Sequence, residues 1–97
     1  MVREDGEQID CLPDMFDSHE WESIARYLDL SDQQHRIARW ICHGLSNKVI
    51  ARRLGVKDNT VRTHVRLLYR KLKISNRVGV PVRATLAART LAKKCEL

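Results

Sequence analysis

The run Gly44-Leu45-Ser46-Asn47-Lys48-Val49-Ile50-Ala51-Arg52-Arg53-Leu54-Gly55-Val56 is followed by Lys57-Asp58-Asn59-Thr60-Val61-Arg62-Thr63-His64-Val65-Arg66. It reads as a short helix, a tight turn and a longer helix. Ser46 supplies a side-chain acceptor for the first helix, and Ile50, Ala51 and Leu54 share one face. Gly55 follows the last apolar residue, where a left-handed turn favours a residue without Cβ. In the second helix Val61, Val65, Leu68 and Leu72 recur at helical spacing and form one stripe. Arg62, Arg66 and Arg70 lie on the opposite face, one turn apart, with Thr63 among them. Two short helices, the second basic and facing outward, suit the major groove of double-stranded DNA.

Moving upstream, Ser31-Asp32-Gln33-Gln34 forms a capping box, with Ser31 as cap and Gln34 as the reciprocal acceptor. Ile37, Ala38, Trp40 and Ile41 give this helix its inward face. Asp17-Ser18-His19-Glu20 has the same form, and Trp21, Ile24, Ala25 and Leu28 follow at amphipathic spacing. The extra helix is too short to be stable alone, so its stripe must cover the domain core. Residues 1–16 form an acidic, aperiodic stretch broken by Pro13 and read as a flexible arm. Residues 17–97 form the domain, with the extra helix within 17–29. Downstream, Pro81 is confined to the first turn of a last helix. That helix has more apolar circumference than one contact needs. Leu86 and Leu91 point to different sides of it and are the candidate dimer-interface residues, one side covering the core and the other left for a second copy of the chain.

The predicted architecture is therefore all-α, a helix-turn-helix bundle of about four helices plus one N-terminal helix. The helices fall near 18–28, 32–43, 46–54, 58–73 and 78–93.

Charge supports the same reading. The 97-residue chain carries a net +6. Residues 1–29 hold two basic and nine acidic side chains, whereas residues 30–97 hold sixteen basic and three acidic ones. The positive field thus belongs to the segment with the paired helices. Arg62, Thr63 and Arg66 are the candidate base readers. Asn47, Lys48, Thr60 and Arg70 are the candidate phosphate contacts.

Other chemistries lack their residues. Cys11, Cys42 and Cys95 are odd in number, widely spaced and without a C-x-x-C pair, so neither a disulfide framework nor a zinc site is expected. There is no glycine-rich phosphate loop, paired-carboxylate cleft or nucleophile with a base at motif spacing. No catalytic residue, metal or cofactor is expected. No apolar run reaches the length of a membrane span, and the acidic first residues do not form a signal peptide, which points to the cytoplasm.

The chain also resembles a known family. Leu30-Ser31, Gly44-Leu45-Ser46-Asn47-Lys48, Ile50-Ala51, Leu54-Gly55-Val56, Thr60-Val61-Arg62, His64-Val65, Lys71-Leu72 and Asn76-Arg77 are similar to the signature of the LuxR-type (GerE-type) helix-turn-helix domain. The resemblance covers roughly Leu30 to Leu91. It implies a bacterial transcriptional regulator, here without its own sensor domain, that binds DNA and dimerises through its last helix. The chain departs from the family at Gln34, Arg36 and Val49, where glutamate is usual, so ion pairs built on those carboxylates are absent. It departs again at Lys57, where serine usually caps the recognition helix. Asp58 is the substitute cap expected from the residues. Three alternatives to operator binding follow from the same features. They are a sigma-factor-like DNA-binding region, a module that binds a protein regulator through the acidic arm and first helix, and a nucleoid protein without sequence preference.

Overall fold

The computed structural model describes residues 14–95. Among them are five helices: α1 (Ser18–Tyr27), α2 (Asp32–Cys42), α3 (Asn47–Leu54), α4 (Asp58–Leu72) and α5 (Gly79–Cys95). No strand occurs among the described residues, so the all-α bundle is as expected. None of these helices is long and apolar enough to cross a membrane.

The first two helices begin where their side chains dictate. The Asp17 carboxylate accepts from the Glu20 amide at 2.7 Å, and the Glu20 carboxylate accepts from the Asp17 amide at 3.0 Å. Ser31 and Gln34 form the same reciprocal pair at 3.2 and 3.0 Å. A side-chain cap of this kind is worth about 1 kcal/mol, a real fraction of the stability of a 10- or 11-residue helix.

The apolar stripes meet in one core. Trp21 and Ile24 from α1, Ile37 and Ile41 from α2, Ile50 from α3, Val61, Val65, Leu68 and Leu72 from α4, and Val80, Ala84 and Ala87 from α5 are all buried in it. α2 packs against α1, α4 and α5, while α3 packs chiefly against α4. The short α3 is thus held as one half of a pair with α4. Cys42 lies inside this core, and burial, with a contribution from the Asp14 charge, pushes its thiol up to about 12. It remains a protonated packing group, neither a thiolate ligand nor a nucleophile.

The start of the described chain is tied down. Asp14 accepts from the Trp21 indole N–H at 2.7 Å and from the Arg39 guanidinium, and lies 3.3 Å from His43. Phe16 packs edge-on against Trp21, with ring centroids 5.3 Å apart. Asp14 to Phe16 are therefore anchored, although the sequence places them at the end of a flexible arm. The remainder of that arm, residues 1–13, lies outside the described residues. The anchor was not visible because Asp14 finds Arg39 at a separation of 25 residues, beyond any local spacing rule.

The α4–α5 corner fixes the direction of the last helix. α4 ends with Lys73 in the left-handed region at φ 57°. The Asn76 side chain accepts from the Val78 amide at 3.1 Å, and α5 starts at Gly79. A Cβ at position 79 would stand 2.8 Å from the Ile74 Cβ, so glycine lets the two segments touch. Arg83 donates from Nε to the Leu72 carbonyl at 2.9 Å, satisfying one of the open carbonyls at the end of α4.

Candidate nucleic-acid interface

The geometry of the site begins with α3. Ser46 Oγ accepts from the Val49 amide at 3.3 Å, and Gly55 closes the helix at φ 69°. A residue with Cβ would be strained there, so the turn into α4 depends on glycine. Asn47 and Lys48 stand in the first turn of α3, Lys48 exposed and Asn47 half-buried. The N-terminus of a helix with a lysine beside it suits a phosphate.

Asn47 is itself held. Arg77, in the α4–α5 corner, donates from Nη1 to its side-chain oxygen at 2.8 Å and from Nη2 to the Leu45 carbonyl. This leaves the Asn47 side-chain NH2 as its outward donor. Arg77 had no assigned role in the sequence, although Asn76-Arg77 belongs to the motif quoted above. Its partners are 30 and 32 residues away and come close only in the fold.

α4 presents the remaining candidates. Val61, Val65, Leu68 and Leu72 are buried, and Thr60, Arg62, Thr63, Arg66 and Arg70 are all exposed. Every candidate base reader is therefore on the surface of this helix. Thr63 has an internal obligation: its hydroxyl donates to the Asn59 carbonyl at 3.1 Å. Its Oγ1 keeps acceptor capacity, and its methyl group stays free of hydrogen bonding.

Asp58 does not cap α4, unlike the cap expected from the residues. It is the first helical residue, Lys57 occupies the cap position, and no side chain bonds the free amides there. Asp58 instead contributes its negative charge to the first turn, worth about 0.3–1 kcal/mol against the helix dipole. The start of α4 thus keeps open backbone donors, as a helix end turned toward phosphate would.

The last helix separates its two leucines. Leu86 is 48% exposed and continues a surface strip with Val82 at 53% and Val78 at 71%. Pro81 and Thr85 line the same shallow surface depression. Leu91 is half-buried, packs on the core, and lines the cleft between α1 and α5 with Ile24 and Ala88. The two leucines do face different sides, but the outward one is Leu86. Leu91 faces α1 because the extra helix covers that end of α5.

Among the described residues, no group of three or more histidine, cysteine or carboxylate side chains is placed to hold a metal ion.

Comparison with known proteins places this geometry. Residues 24–84 match the family model described as bacterial regulatory proteins, luxR family. The chain belongs to the luxR family. The match starts inside α1 and ends inside α5, so it takes in α2, α3 and α4 whole. A nitrate/nitrite response regulator protein homolog from Haemophilus influenzae is 43% identical over 53 residues, 55% of this chain and 26% of the relative. The nitrate/nitrite response regulator protein NarL of Escherichia coli K12 is 40% identical over 53 residues, 55% of this chain and 24% of NarL. The HTH-type transcriptional regulator MalT of Vibrio campbellii is 39% identical over 54 residues, 56% of this chain and 6% of MalT. The chain thus spans about a quarter of the two nitrate/nitrite regulators and much less of MalT. No solved structure matches. As a luxR-family chain it carries the helix-turn-helix domain of DNA-binding transcription regulation.

Proposed function

We propose that this luxR-family domain recognises a specific double-stranded operator by placing α4 in the major groove. The observation that supports this most directly is the arrangement of α4. Val61, Val65, Leu68 and Leu72 are buried, while Arg62, Thr63, Arg66 and Arg70 are presented to solvent on a domain that is basic from residue 30 onward. In this reading Arg62, Thr63 and Arg66 contact base edges, with an arginine pairing bidentately to guanine as the commonest form of such contact. Asn47, Lys48, Thr60 and Arg70 hold phosphates on either side and set the register.

The proposed unit on DNA is a two-fold homodimer. Three base-reading side chains select about four base pairs, too few to define a genomic site. Two copies double that length, with half-sites about one helical turn apart. The exposed strip formed by Val82 and Leu86 of α5, with Val78 just before the helix, supplies the apolar surface for the pairing. The surface is small, so the dimer completes on DNA. The protein acts in the cytoplasm in this reading, without a cofactor and without catalysis.

The test is a pair of substitutions measured on a preferred site selected from random duplexes. Arg66→Ala is expected to weaken that site by about 1–3 kcal/mol and to relax base choice at one position per half-site. Lys48→Ala is expected to weaken all sequences alike. Equal losses on every sequence for both variants would contradict the division between base reader and phosphate anchor.

A further inference from the structure

We propose that Leu67 is a specificity-determining residue of α4 that reads the C5-methyl group of a thymine; the proposal rests on the DNA-binding reading above. Leu67 is 45% exposed, and among the described residues it is the large apolar side chain that α4 leaves on the surface. The other four apolar anchors of the helix, Val61, Val65, Leu68 and Leu72, are buried.

Its position follows from helical spacing. Leu67 lies four residues after Thr63 and seven after Thr60, so these three share one row along the helix. Arg62, Arg66 and Arg70 form a neighbouring row by the same rule. The surface of α4 therefore carries a guanidinium row beside a row of methyl-bearing side chains. Cβ atoms one turn apart are about 5–6 Å from each other. Bases on one strand rise about 3.4 Å per step. A leucine one turn beyond Thr63 thus falls over the next one or two base pairs.

The hydrogen bond of Thr63 sharpens the chemistry of that row. Its hydroxyl donates to the Asn59 carbonyl, so donating to the N7 or O6 of guanine or to the O4 of thymine would require giving up that bond. With that bond kept, Thr63 is left with a methyl group and an acceptor. Thr63 and Leu67 together present an apolar patch, and the major-groove feature that an apolar patch recognises is the thymine methyl. A guanine or cytosine edge beneath Leu67 would instead lose water from its polar atoms without replacement.

The experiment uses the full chain and its preferred duplex selected from random sequence. Each thymine of that duplex is replaced in turn by deoxyuridine, which removes the C5-methyl alone. With the natural chain, at least one thymine per half-site should lose affinity about four-fold, the value of one buried methyl. In Leu67→Ala that loss should vanish while the cost of changing the guanines persists. Circular dichroism confirms that this surface variant is folded. The proposal is overturned if no thymine depends on its methyl, if Leu67→Ala keeps the full uracil loss, or if the loss disappears in Thr63→Ser and persists in Leu67→Ala. A natural chain with no preferred duplex overturns the DNA-recognition reading itself, a result distinct from strong selection without methyl dependence.

Discussion

His35 shows how much a single position can decide. Its ring lies 6.1 Å from that of Trp21, and its buried Nε2 has no hydrogen-bond partner among the described residues. Burial holds its pKa below the ordinary histidine value, the Arg39 charge adds to this, and Glu22 and Asp32 oppose it. The unfolded chain therefore takes up this proton before the folded one does, and stability falls as the pH drops through the ordinary value near 6.5 toward the lower folded value. Asp14 acts in a separate window. Partial burial raises its pKa, but hydrogen bonds from Arg39 and Trp21, with the charges of Arg39 and His43, hold it below 3.8 overall. Its stabilising contribution is present above that value and is lost as the pH falls through the lower folded value. Melting temperature measured between pH 7.5 and 5.5 should thus fall more in the natural chain than in His35→Leu. Identical pH profiles would contradict the role of His35. Neither group was legible in the sequence. His35 sits in an ordinary helical position, and its environment is made by Trp21, which arrives from another helix. By contrast Ser31, Ser46, Asp17 and Gly55 were legible, because a cap acts on backbone within three or four residues.

At the scale of the element, the helices were readable where their apolar residues keep a strict period. α1 to α4 begin and end within a residue or so of the spacing of their stripes. α5 was readable as a helix but not in its orientation. Val80, Ala84, Ala87 and Leu91 share one side and Val82 and Leu86 another, so the apolar pattern alone does not say which face meets the core. The answer comes from α1, whose packing on α5 buries the side that carries Leu91 and leaves Val78, Val82 and Leu86 outside. Glutamate at each leucine separates the two faces. Leu86→Glu should fold with a melting temperature close to that of the natural chain, and lose more affinity for a two-fold site than for an isolated half-site. Leu91→Glu should lower the melting temperature, because it places a charge against the half-buried contact with α1. Sedimentation and thermal melts of both variants check this, and the opposite pattern would place Leu91 on the outer face. The candidate site was legible to the same degree as the helices. The α4 arginines follow from periodicity, whereas the clamp from Arg77 to Asn47 required the tertiary fold.

The whole molecule is electrically lopsided, with a balance of −7 over residues 1–29 and +13 over residues 30–97. The paired helices lie entirely in the basic part, so association with DNA should release condensed counterions. If about five phosphates are neutralised per subunit, the logarithm of the binding constant should fall with the logarithm of salt at a slope of about −4 to −5. A slope near zero would mean that the basic surface does not meet a phosphate backbone.

Methylation interference on the selected duplex tests the placement of α4 in the major groove without mutating the protein. Dimethyl sulfate methylates guanine at N7, in the major groove, and adenine at N3, in the minor groove. Methylated duplexes that still bind are separated from those that do not, and both pools are cleaved at the modified bases. With α4 in the major groove, N7-methylated guanines within each half-site should be excluded from the bound pool, while N3-methylated adenines should be retained. Exclusion confined to adenine N3, or no exclusion at either base, would contradict a major-groove placement of α4.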